Sequence, residues 1–179
     1  EMVSAIIDGR KSMTRRVMKP QADLRGVHHR CPYGMQGAHL WLRETWQTCA
    51  AYDPSAPRQI DPGAAVLWVA DGSKRLNGTE DWGKIRPSIF MPRWASRITL
   101  EITDVRVERL QDISGPDVLA EAPPAFWSHP SGPLQAFIDL WNSIDAKRKG
   151  YSWGENPFVW VLTFRKIVPE GVQCFQEQN

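Results

Sequence analysis

The chain has 179 residues, 42% of them apolar and 23% charged, and a formal charge of +2. Apolar content at that level supports one globular domain over residues 1–179 with a buried core, and it excludes a disordered chain, which needs low hydrophobicity and high net charge. No apolar run approaches the roughly 20 residues of a membrane-spanning helix, and the N-terminus lacks a signal-peptide succession, so a cytoplasmic protein with no membrane partner is expected.

The chain opens on Glu1 rather than Met, which leaves room for an upstream piece. Met2 to Asp8 carries Val3, Ile6 and Ile7 at helical spacing, and Gly9 then supplies the residue type that ends a helix in a left-handed conformation. A short helix should therefore deliver the segment GRKSMTRR at its end. Alternation from Lys11 to Val17 predicts an extended segment, closed by Lys19-Pro20. Between Arg10 and Arg30 stand Arg10, Lys11, Arg15, Arg16, Lys19, Arg25 and Arg30 against the single acid Asp23. A run of this kind either attracts phosphates or is a solubilising surface.

After turn-rich CPYGMQGAH, the stretch HLWLRETWQ alternates Leu40, Leu42, Glu44 and Trp46 against Trp41, Arg43, Thr45 and Gln47, the pattern of one strand. That phase turns Glu44 inward. A buried carboxylate needs a partner, and Arg16 or Arg43 is the expected one. Arg43 and Glu44 thus have two readings, a structural ion pair or a base-reading pair, since an arginine fork suits phosphate and a carboxylate can accept from a cytosine amino group. From Tyr52 to Pro87 (about 52–88) prolines, glycines and aspartates predict a loop-rich insertion around one strand, AAVLWVA.

In SRITLEITDVRVERL, Ile98, Leu100 and Ile102 share one face and Val105 and Val107 take the opposite phase. The switch near Thr103 and Asp104 predicts a bulge that curves a sheet. Ser114 precedes a short helix from Pro116 to Glu121, stopped by Pro123 and Pro124. LQAFIDLWNSI places Leu134, Phe137, Ile138 and Trp141 on one helical stripe, and NPFVWVLTFRKI is the last strand, with Phe158, Trp160, Leu162 and Phe164 on one face. The fold class expected is α+β, a small curved sheet or barrel with short helices.

The cysteines, Cys31, Cys49 and Cys174, are odd in number and far apart, as plain thiols in a reducing compartment would be. Cys31 stands near His28, His29 and His39, but without CxxC or HxxxH spacing no metal is expected, and no cofactor either. Of the nine tryptophans, Trp41, Trp141 and Trp160 fall in regular elements and are assigned to packing. Trp82, Trp94, Trp127 and Trp153 lie in loop-like sequence and are the better candidates for stacking on an unpaired base.

Taken together, IIDGRKSMTRR, GAHLWLRETW, RPSIFMPRWASRITLEITDVRVERLQDIS and GYSWGENPFVWVLTFRKI resemble the ASCH-domain family, in its phage and prophage branch, over almost the whole chain. The resemblance implies a PUA-like fold, a small curved β-barrel flanked by short helices, and an association with RNA or modified nucleosides. The family includes amidohydrolases that deacetylate N4-acetylcytidine with a lysine, a threonine three positions later and a downstream glutamate. Those roles fall on Lys11, Thr14 and, by alignment across variable sequence, Glu121. Arg10, Arg15, Arg16, Arg43 and Glu44 are the accompanying candidates for substrate binding.

Amide cleavage needs a nucleophile at the acyl carbon, a base for its proton and donors for the oxyanion. Lys11 can act as that base only with a lowered pKa, which burial and the neighbouring arginines would supply. Residues three apart point to opposite faces of a strand, so Lys11 and Thr14 converge only if the chain bends between Gly9 and the strand. Against this stands the plain alternative of an exposed cation, an ordinary strand threonine and a helix-end acid. The functional readings open to the sequence are an amidohydrolase on N4-acylated cytosine, a binder of RNA, single-stranded nucleic acid or a modified nucleoside without catalysis, a ribonuclease, and a phage assembly protein.

Overall fold

The computed structural model describes residues 2–21, 30–76, 81–122 and 126–167. The predicted elements at Arg25, His28, His29, Pro123, Pro124 and Cys174 lie outside them. The described chain is an α+β fold around a curled antiparallel sheet. Its strands are β1 (Met13–Val17), β2 (His39–Trp41), β6 (Thr99–Arg109) and β7 (Phe158–Ile167), in the order β1-β7-β6-β2. A second, three-stranded sheet joins β3 (Trp46–Gln47), β4 (Val66–Trp68) and β5 (Lys74–Arg75). Helices α1 (Met2–Ile7), α2 (Gly115–Glu121) and α3 (Gly132–Asp145) pack on the first sheet. Among the described residues no helix is long and apolar enough to cross a membrane.

Both faces of the first sheet are covered, which is why its central strand β7 reads as a nearly continuous apolar run. On one face Val159 and Val161 pack with Met13, Val17, Leu110 and the α2–α3 side chains Val118, Phe137 and Trp141. On the other, Phe164 packs with Leu100, Ile98 and Ile6 of α1. The register slips between Ile102 and Asp104, which pair with Phe164 and Thr163, so the bulge sits where the pattern changes phase. It lets one long strand serve both halves of a curled sheet.

Helix α2 begins as predicted: Ser114 accepts from the Asp117 backbone N–H at 3.2 Å and Pro116 occupies the first turn. The α3 stripe is rotated from the expected one. Ala136, Phe137 and Trp141 are buried, whereas Leu134 is 46% exposed, and the helix packs with α2 through Phe137.

One expectation is corrected. HLWLRETWQ is not one strand: it pairs with β6 only as far as Trp41, and then crosses to the second sheet, where Trp46 pairs with Trp68. The strand expected in the 52–88 segment forms as β4 (Val66–Trp68). The segment also supplies β5 and an apolar cluster of Ile60, Ala64, Val66 and Trp68 closed by Trp46, Met91 and Ala95. Trp46 is the bridge, since it is fully buried and draws the chain away from the first sheet.

Candidate functional site

The path to the site starts at Gly9. Its φ of +73° is the left-handed turn that side-chain-bearing residues avoid, and its N–H donates to Ile6 O at 3.1 Å, ending α1. The turned chain is then stitched down: Lys11 N–H donates to Ala5 O and Ser12 N–H to Ala120 O. Lys11 is thereby carried under the end of α2 before β1 begins.

Strand β1 then deals its side chains alternately to two environments. Met13, Arg15 and Val17 point toward α2 and α3, and Thr14 and Arg16 toward the opposite side, where they line a cleft of about 650 Å³. Lys11, Tyr33, Trp41, Arg43 and the apolar floor of Leu100 and Leu162 complete its wall. The sequence-predicted Lys11, Thr14, Arg16 and Arg43 therefore meet in one concavity.

Lys11 is 6% exposed. Its Nζ donates to Met13 O at 2.8 Å and to Glu121 O at 2.6 Å. Burial lowers its pKa from 10.5 to about 8; the Glu121 carboxylate opposes that shift, and Arg16 and Arg15 add to it. A neutral amine has two N–H bonds and one lone pair. With both N–H bonds taken by carbonyls, the lone pair is directed away from them, and the Thr14 hydroxyl shares the cleft wall. Arg16 Nη1 donates to Thr14 Oγ1 at 2.9 Å, so a cation already faces the hydroxyl oxygen.

Glu121 is placed differently from the sequence expectation. Its main-chain carbonyl, not its carboxylate, touches Lys11. The carboxylate accepts from Arg15 N at 2.6 Å and Arg15 Nη1 at 2.8 Å, on the far side of β1. Arg15 does not reach the cleft: it is 1% exposed and also bonds Glu108 and Asp117. Arg10 is drawn to Asp8 beside the helix end and stands outside the cleft lining.

Glu44 requires a second correction. It is buried at 1% exposure, as its phase predicts, but its partner is neither Arg16 nor Arg43. Arg97 grips it with two bonds of 2.9 Å and also reaches Asp71, in the second sheet's territory. The chain leaves β2 before Glu44, so its side chain is not in the cleft. Arg43 remains exposed and bonds Ile89 O at 3.2 Å.

Sequence reasoning missed Trp41 and Tyr33, which line the cleft, and Arg93 at its rim. Trp41 looked like packing because it sits in a strand. Its signal was that it faces the same way as Arg43, on the polar side of the alternation. Of the loop tryptophans, Trp94 packs edge-on against Trp46, Trp153 against Phe137, and Trp127 is 52% exposed away from the cleft lining. Trp82 is half-buried and bridges to Cys49. Among the described residues no group of three or more His, Cys, Asp or Glu is placed to hold a metal.

Comparison of the chain with family models, with curated proteins and with solved structures finds no match.

Proposed function

We propose that this is a PUA-like protein of the ASCH type whose cleft takes a modified nucleoside and hydrolyses an exocyclic amide, with an N4-acylated cytosine as substrate. The observation that carries this reading is the Lys11 amine, held by two carbonyls with a pKa of about 8 and sharing its cleft with the Thr14 hydroxyl. A lysine so tuned has a useful neutral fraction near neutral pH, which an exposed lysine lacks.

In this scheme Thr14 Oγ1 attacks the acyl carbon and its proton passes to Lys11 Nζ. Arg16, already within hydrogen-bond distance of Thr14 Oγ1, stabilises the oxyanion. Collapse breaks the C–N bond, and the leaving N4 takes the proton from Lys11. Water, deprotonated by the neutral Lys11, then attacks the acyl-threonine; the acyl C–Oγ bond breaks, Lys11 returns its proton to Thr14 Oγ1, and the acid is released. Glu121 is a positioning residue here: its carbonyl fixes the amine while its carboxylate ties the helix end to Arg15. Tyr33 and Trp41 provide the aromatic surface for the base.

Purified protein incubated with N4-acetylcytidine, with the products separated by chromatography, tests the reading. Release of cytidine and acetate, lost in a Lys11→Ala variant, is the expected result. Wild-type turnover no faster than that variant overturns it.

A further inference from the structure

We infer that the groove between α3 and the outer edge of β1 is the acyl site of this reaction, and that it selects short alkyl chains, propionyl and butyryl, over acetyl. This rests on the reading of the cleft as a nucleoside site and deepens it by naming the class of acyl group.

Among the described residues β1 pairs with β7 alone, which makes it an edge strand. Ser12 O accepts from Phe164 N–H and Met18 N–H donates to Phe158 O, so the even-numbered backbone groups of β1 face β7 and the odd-numbered ones face outward. Three of these outward groups are met by side chains of the site: Met13 O accepts from Lys11 Nζ, Arg15 N–H donates to Glu121, and Arg15 O accepts from Arg16 Nη1. The same Arg16 nitrogen holds Thr14 Oγ1 at 2.9 Å. Amine, hydroxyl and guanidinium are thereby gathered along the edge of the sheet.

Two cavities meet there. Thr14 and Arg16 line the cleft of about 650 Å³ and also a groove of about 80 Å³ on the α3 side, walled by Phe126, Phe137, Leu140, Trp141 and Ile144. Phe137 and Trp141 are its buried floor, and Ile144, 61% exposed, is its outer lip. Arg15 is bonded to Glu121 and Asp145 lies 3.8 Å from Arg148, so the charges on the wall are already answered and the apolar surface selects the ligand. A carbonyl carbon approached by Thr14 Oγ1 carries nitrogen, oxygen and alkyl chain in one plane. With the base in the cleft and the oxygen on Arg16, the chain points away from the base, over the edge and into the groove. At roughly 30 Å³ for a water-sized group, the groove takes about two to three carbons beyond the carbonyl. Acetyl supplies only one, and a nucleobase does not fit.

Steady-state kinetics on N4-acetyl-, N4-propionyl-, N4-butyryl- and N4-octanoylcytidine test this. Each methylene from acetyl to butyryl should raise kcat/KM about fourfold, the factor that corresponds to burying one CH2 group, with no further gain at octanoyl. The readout is the butyryl-to-acetyl ratio within one preparation, from which a misfolded fraction cancels. Ile144→Trp at the exposed lip and Leu140→Trp in the wall should each bring that ratio from about 16 to about one or below. Leu119→Trp, the same addition at an exposed site on α2 outside the groove, should leave it as in wild type. Equal kcat/KM along the series, a fall at propionyl, or a butyryl preference that survives both groove substitutions overturns the inference and leaves the cleft reading intact. Turnover of no member of the series sinks the cleft reading and the acyl site with it.

Discussion

Arg15 and Arg16 are neighbours in sequence and opposites in environment. Arg15 is sealed under α2 with Glu108, Asp117 and Glu121 around it; Arg16 opens on the cleft with a hydroxyl and a carbonyl as its bonds. One strand thus separates a structural charge from an available one by nothing more than the pleat. The difference teaches that the basic run at 9–16 cannot be read as a single patch: its members are sorted by face, and only those on the cleft side are free to meet a ligand.

The comparison breaks most decisively at Arg15. Arg15→Ala leaves a buried carboxylate at Glu121 without its counter-charge, a loss of about 3–5 kcal/mol. For a chain of this length that is a fall in Tm on the order of 10 °C, checked by thermal melting. A fall of only a degree or two would mean that the α2 face does not depend on this charge.

Lys11 sharpens it. Its folded pKa, about 8, lies below the usual 10.5, so between those values the unfolded chain binds more protons and folding stability rises with pH. Wild-type protein should gain roughly 3 kcal/mol from pH 8 to 10.5 relative to Lys11→Met, each pKa unit being about 1.4 kcal/mol. Paired denaturation curves at the two pH values measure it. The same ionisation should appear as a rise in hydrolysis rate centred near pH 8, absent if the amine takes no proton.

Arg16 gives the smallest change in stability. Arg16→Ala should leave the melting curve within about 0.5 kcal/mol of wild type, as at other exposed sites. Its kcat on N4-acetylcytidine should drop by about 100-fold through loss of a donor to the developing oxyanion. A variant that melts early with normal kcat would place Arg16 with Arg15 and erase the contrast.

What the sequence disclosed were the features set by local chemistry. The phase change around Thr103 announced the bulge, Gly9 the left-handed turn, and Ser114 with Pro116 the start of α2. Features that depend on partners far along the chain were not legible. Arg15 looked like one more cation because its three carboxylates arrive from 93 to 106 residues away. Glu44 was rightly turned inward, yet its arginine lies 53 residues on, past the segment that builds the second sheet. Alternation also carried HLWLRETWQ straight through a sheet change, since period two survives a crossing from one sheet to another. Lys11 and Thr14 line one cleft because a turn, not a strand, precedes β1; Glu121 meets Lys11 through its backbone carbonyl and Arg15 through its carboxylate.

That division has a mechanical consequence. A single residue at the tail of α2 secures the amine through its carbonyl and the hidden guanidinium through its carboxylate. The two sides of β1 consequently share one fastening, and they cannot be loosened separately. A cavity cut into α2 well away from the cleft, as by Val118→Ala, would slacken both at once and register as altered titration of a lysine it never touches.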